Sequence, residues 1–183
     1  MRSFRFRLLG IVLLVVACGY GLARWVESVG GPEGIHARFG AAAPVVSGGV
    51  QLALAPTPFP SDLLAIAHGT LYGFAVAAPL NWIAWWLASL FQFQVGRRLG
   101  ASLDADTELA RLPNWLRRFP VGHPAFLILG RQIPWAGGHV TTWLPGAMGV
   151  PWRRYWWCSA LSIVPGACAM AAIGAGLLSA FGD

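Results

Sequence analysis

The chain has 183 residues, of which 56% are hydrophobic and 11% charged, with a formal net charge of +6. Soluble domains carry about 25% charged residues, so this composition excludes an ordinary soluble domain and points to a bilayer. The length allows one compact unit and no separate soluble domain.

All 13 basic residues are arginine. They cluster beside apolar runs, as the arginines that orient membrane spans do, rather than along a polar face, so no nucleic-acid partner is expected. Cys18, Cys158 and Cys168 all lie in apolar stretches without metal-type spacing. They read as small apolar packing residues, and neither a disulfide, a metal nor another cofactor is expected.

The N-terminus carries Arg2, Arg5 and Arg7, then an apolar run from Leu8 to Val29. Val15-Val16-Ala17-Cys18 resembles a bacterial lipobox. The run continues through Tyr20, Leu22 and Ala23, however, and is read as a retained first span with its N-terminus in the cytoplasm. Residues 27–40, with Glu27, Glu33, Arg38 and several glycines, read as a periplasmic loop, so residues 1–40 form an N-terminal span and loop. The membrane domain proper is expected over 41–183.

Ala41–Leu54 and Leu63–Gly73 are both apolar and both shorter than the roughly 20 residues that cross a hydrocarbon core. The tip between them, Pro56-Thr57-Pro58-Phe59-Pro60, cannot continue a helix, so the pair reads as a re-entrant hairpin, with Ser61 placed to cap its second arm. Ala77–Gly96 is a full-length span ending at Arg97-Arg98. Residues 100–120 hold Asp104, Asp106, Glu108, Arg111, Arg117 and Arg118. Leu109, Leu112, Leu116 and Phe119 fall near helical spacing there, which predicts an amphipathic cytoplasmic connector broken at Pro113 and lying on the membrane surface.

The order then recurs: a short half at Pro124–Ile133, a tip at Pro134-Trp135-Ala136-Gly137-Gly138, a short half at His139–Val150 and a long span at Tyr155–Phe181. Pro58 and Pro134 are 76 residues apart, as are Gly73 and Gly149. The two repeats are 41–99 and 121–183, joined by the connector 100–120. Arginine placement puts the connector inside and gives the repeats opposite orientations. Interrupted short segments at matching positions of two inverted halves point to a transporter-type site. The expected fold is therefore an all-α polytopic membrane protein: two inverted repeats, each a re-entrant hairpin followed by a transmembrane helix, after an N-terminal span.

The stretch from Pro58 to Gly73 resembles the first block of the DedA superfamily, also called the SNARE-associated Golgi protein or VTT-domain family. Phe93 to Gly100 is similar to the end of its next span. Arg131-Gln132-Ile133-Pro134, Pro145-Gly146, Pro165-Gly166 and Gly174 resemble its second half. The resemblance covers about residues 45–178. It implies two inverted re-entrant hairpins and movement of lipids across a bilayer: phospholipids in scramblase-like relatives, undecaprenyl phosphate in bacterial ones, in some cases with proton coupling. Asp62 matches the family's acidic residue in the first hairpin, and Arg131 the arginine before the proline in the second. Where bacterial members often carry a further arginine this chain has Gly137, and Thr142 stands where the scramblase-like branch has asparagine.

The candidate binding residues are Asp62, Arg131, His139, Pro134 and Thr142, within a hairpin frame of Pro58, Pro60, Gly69, Gly73, Gly146 and Gly149. Asp62 is either a first-turn acid favoured by the helix dipole or a membrane-depth carboxylate that meets a proton or a cationic headgroup. Arg131 either snorkels to the surface or clamps phosphate in a bidentate fork, with backbone N–H donors after Gly137-Gly138 in support. His68 and His139 read as packing residues or proton sites. Asn81, Gln92, Thr141 and Thr142 read as interhelical hydrogen-bonding residues, and Ala167, Ala171 and Ala175 as a close-packing series. No nucleophile–base–orienter set or HExxH or GxSxG motif is present, so an enzyme is not expected.

The reading is a multi-pass protein of the bacterial inner membrane that translocates lipids, phospholipid or polyprenyl phosphate, with protons as the candidate coupling ion. The alternatives are a proton-coupled exporter of a small solute and a non-transporting assembly protein.

Overall fold

A computed structural model describes residues 17, 20–21, 24–57, 61–99, 109–110, 112–133 and 137–176. Most of the expected first span with Cys18, the tip residues Pro58, Pro60 and Pro134, and connector residues 100–108 lie outside the described residues. So do the side chains of residues 137–140. Every regular element among the described residues is helical.

Helix α1, Gly31–Phe39, occupies the segment whose glycines and charges suggest a loop. The loop reading is corrected by ordinary helix signals. A proline opens the first turn, Glu33 follows it, and His36 and Arg38 sit in the last turn, each where the helix dipole favours it. Ile35 anchors α1 by complete burial.

A single 3-10 turn, Gly40–Ala42, leads into α2, Ala43–Leu54. After α2 the chain folds back on itself, with the Thr57 hydroxyl donating to the Leu54 carbonyl at 2.6 Å. Helix α3 runs Ser61–Tyr72 and α4 runs Phe74–Leu99. A short helix α5, Asn114–Arg117, follows. Then come α6, Pro124–Leu129, a 3-10 turn at Gly130–Gln132, α7, Gly137–Ala147, and α8, Trp152–Gly174. Among the described residues, two short helices followed by a long one therefore occur twice.

The joints between second arm and long helix are built alike. Gly73 has φ 73° and Gly149 has φ 72°, a left-handed conformation that costs other residues roughly 1–2 kcal/mol. At the first joint the Gly73 N–H donates to the Gly69 carbonyl at 3.0 Å; at the second, Gly149 and Val150 donate to Gly146 and Pro145 at 3.1 and 2.9 Å. Both are left-handed helix caps, and the second is a Schellman motif.

The chain divides into two compact units, residues 1–85 with 166–183, and residues 86–165. In the first, α2 and α3 pair as hairpin arms. Ser47 and Tyr72 hydroxyls meet at 3.3 Å at the open end, and Val50, Leu54 and Leu64 cluster toward the tip. The end of α8 crosses α3 at Gly69, where a Cβ would strike the Ala171 carbonyl; a Cβ on Gly174 would strike the Ile66 carbonyl. Thr70 adds a hydroxyl donor to the Gly174 carbonyl at 2.9 Å. Ala167 and Ala171 are buried, so the alanine series does permit close packing.

The second unit is built on Phe93, Phe126, Leu127, Leu144, Tyr155 and Cys158. Phe93 stacks on Tyr155 with centroids 4.2 Å apart. Leu112 and Leu116 are buried in this core and Leu109 and Phe119 pack against it, so the described apolar side of the connector serves the protein interior. Here α7 crosses the end of α4: a Cβ on Gly146 would strike the Phe93 carbonyl, and one on Gly96 the Trp143 carbonyl. In each unit, then, the second hairpin arm meets the end of a long helix through a pair of glycines.

Candidate functional site

In the second unit, His123 caps α6, its Nδ1 accepting from the Ala125 N–H at 3.1 Å. After Leu129 the helix tightens into the turn Gly130–Gln132. Gly130 lets that turn lie against α7, since a Cβ there would come within 2.8 Å of the Thr141 methyl and 3.1 Å of Leu116. Gln132 fixes the turn from the other side, its amide donating to the Ser162 carbonyl of α8 at 2.7 Å. Three residues on, Pro165 interrupts the hydrogen-bond ladder of α8.

Arg131 projects from this turn and is half-buried. Its guanidinium lies beside the Tyr155 hydroxyl. That hydroxyl donates to the Ser89 carbonyl at 3.4 Å, which leaves its oxygen lone pairs to accept from Arg131. The described residues of this unit include no Asp or Glu, so the charge of Arg131 is met there by a neutral hydroxyl. A guanidinium so placed can take an anion in its planar fork.

The other sequence candidates fall as follows. Asp62 is in the first turn of α3 and exposed. The adjacent Ser61 hydroxyl accepts from the Trp85 indole N–H at 3.3 Å, tying α3 to α4. Thr142 is buried in α7. Position 139 is in the first turn of α7. Gly69 and Gly146 are the close-approach points, and Gly73 and Gly149 the joints. Arg131 and Thr142 belong to the second unit and Asp62 to the first.

A second polar group lies inside the first unit. His68 and Asn81 are both fully buried, and His68 Nδ1 is 2.8 Å from Asn81 Oδ1. The Asn81 amide nitrogen donates to the Ala65 carbonyl at 3.0 Å, leaving its oxygen as acceptor for the His68 Nδ1–H. Tyr72 stacks on His68 with centroids 5.7 Å apart. The amide nitrogen and oxygen of fully buried Gln51, together with His68 Nε2, make no hydrogen bond to any described residue. Gln51, Tyr72 and Tyr155 escape the sequence reading. The one available signal was an amide side chain inside an apolar half-helix, since polar groups at membrane depth are costly.

Two helices are long and apolar enough to cross a membrane, Phe74–Arg98 and Trp152–Gly174, and 28% and 33% of their most apolar windows are buried inside the protein. A soluble core helix would be mostly buried. Val76, Ile83, Leu87 and Phe91 instead form an exposed stripe along α4, as do Trp157, Leu161 and Val164 along α8. With the short apolar helices before each of them, these helices point to a membrane protein. The VTT-domain family model matches residues 59–176, more than half of the chain. The chain belongs to that family, which comprises the DedA and SNARE-associated Golgi proteins. Comparison with curated proteins and with solved structures found no match.

Proposed function

We propose that the protein translocates lipids bearing a phosphate headgroup across the bilayer, with Arg131 as the phosphate ligand. The observation that carries this reading is the Arg131 guanidinium, held half-buried in a tied turn of the second hairpin beside the Tyr155 hydroxyl, in a unit whose described residues hold no carboxylate. A charge at membrane depth is expensive without a partner. A phosphate supplies two oxygens in the geometry of the guanidinium fork, while the acyl or polyprenyl tails stay in hydrocarbon. Membership of the VTT-domain family supports a transport role for the site. Asp62, exposed on the first turn of α3, is suited to meet the cationic part of a headgroup.

The test is reconstitution into liposomes carrying fluorescent phospholipid or polyprenyl phosphate in one leaflet. Leaflet asymmetry should decay faster than in protein-free liposomes for at least one of the two lipids. Decay no faster than in protein-free liposomes for both rejects the reading.

A further inference from the structure

Ser47 and Tyr72 touch across the first hairpin. One helical turn toward the tip from Ser47 is Gln51, and one turn toward the tip from Tyr72 is His68; i, i+4 residues share a helix face. Gln51 and His68 thus stand at the same level on facing arms, and both are fully buried. Three of their polar atoms, Gln51 Nε2 and Oε1 and His68 Nε2, are unpartnered. Native proteins satisfy buried polar atoms with protein groups, ordered water or ligands. Two buried side chains at this level of the α2–α3 hairpin, with these atoms unpartnered among the described residues, mark a place for a guest that can both donate and accept.

Asn81 determines what His68 offers that guest. With Nδ1–H donated to the Asn81 oxygen, Nε2 of the neutral ring is a lone-pair acceptor. It can take a hydrogen bond from water or a proton relayed by that water. Proton uptake forms one N–H bond at Nε2, the proton coming from bulk water, and leaves a cationic ring bonded to two neutral amides, Asn81 and Gln51, the latter through the guest. Among the described residues, the other titratable groups on the packed elements are Asp62 and Tyr72 on α3, Glu33, His36 and Arg38 on α1, Cys168 on the end of α8, and Arg24 and Glu27, paired with each other, on the segment whose Val26 packs against the hairpin. Of these, Tyr72 stacks on His68, and His36 reaches Tyr72 at 5.7 Å between ring centroids. Helix α2 and the 74–85 part of α4 contribute none.

We propose that His68 and Gln51 form a water-bridged proton-binding site in the first hairpin, distinct from the phosphate ligand Arg131 and from Asp62. Its link to transport rests on the lipid-translocation reading; the site itself does not.

The experiment is nitrogen-15 solid-state NMR on the full histidine-labelled chain in liposomes, with the His68 signal assigned by difference from His68→Gln. The wild type should show a neutral ring protonated at Nδ1 that becomes doubly protonated as the pH is lowered within the range in which the protein stays folded. Gln51→Leu should move that midpoint down by about one unit, because a hydrogen bond supporting the charged ring is lost. Asn81→Ala should mix the two neutral tautomers, a change visible without any titration. A His68 signal that stays neutral throughout, or a midpoint indifferent to Gln51→Leu, overturns the proposal. In the liposome assay His68→Gln should flatten the pH dependence of translocation and Asp62→Asn should keep it; the reverse pattern overturns the assignment of proton linkage to His68. If wild type moves no lipid, the transport reading fails while the NMR result still decides the site.

Discussion

Arg131 is half-buried, and no described residue of its unit carries the opposite charge. Tyr155 supplies an oxygen but no charge, and is itself fixed by the Ser89 carbonyl and by stacking on Phe93. Tyr155→Phe keeps the stacking and removes the oxygen. Stability should fall by about 0.5–1.5 kcal/mol, the net worth of an ordinary hydrogen bond, as read by thermal unfolding in detergent, and translocation should slow because the guanidinium is less well aimed. An unchanged melting temperature and an unchanged rate would show that the hydroxyl neither supports the fold nor positions Arg131. Arg131 was legible because it is a charge closing an apolar half-helix. Tyr155 was not, because its pairing with a residue 24 positions earlier depends on how α8 lies against the turn.

At the scale of elements, the crossings are set by glycine. Gly146→Ala places a methyl against the Phe93 carbonyl, and Gly69→Ala against the Ala171 carbonyl. Backbone cannot yield as a flexible side chain can, so each should cost about 1–3 kcal/mol and lower the temperature at which the purified protein stays monodisperse. Gly49 faces open space on α2, so Gly49→Ala should be neutral or stabilising by up to about 1 kcal/mol. If all three variants behave alike, the crossings are looser than described. The half-helices and their joints could be read from the sequence because length, proline and the 76-residue recurrence of glycine are local signals. Helix α1 could not, since its glycines and charges mask a proline-led first turn. The His68–Asn81–Gln51 group was equally hidden. Its residues lie on three helices; His68 alone reads as a packing residue or a proton site, Asn81 as a hydrogen-bonding residue, and Gln51 drew no reading.

For the whole molecule, the arginine clusters set an expected topology. Single cysteines introduced as Glu33→Cys and Ala105→Cys, with Cys18, Cys158 and Cys168 replaced, should label from outside and inside intact cells respectively. Labelling of position 105 from outside would contradict the opposite orientation of the two repeats. Each unit repeats the same contact plan, a second hairpin arm crossing the end of a long helix through paired glycines. Among the described residues the interiors differ in one respect: the first unit buries the His68–Asn81 pair, and the second packs Phe93 and Tyr155 beside half-buried Arg131. On the readings proposed above, the two hairpins would have separable tasks, proton binding in the first and phosphate binding in the second.

The most direct test of phosphate-headgroup translocation at Arg131 is the liposome rate of Arg131→Lys against wild type, after both are shown to be monodisperse. Lysine keeps the positive charge and loses the bidentate fork. The account predicts a rate at least about tenfold lower, the equivalent of losing about 1.4 kcal/mol of transition-state binding. A well-folded Arg131→Lys protein that moves lipid at the wild-type rate would contradict it.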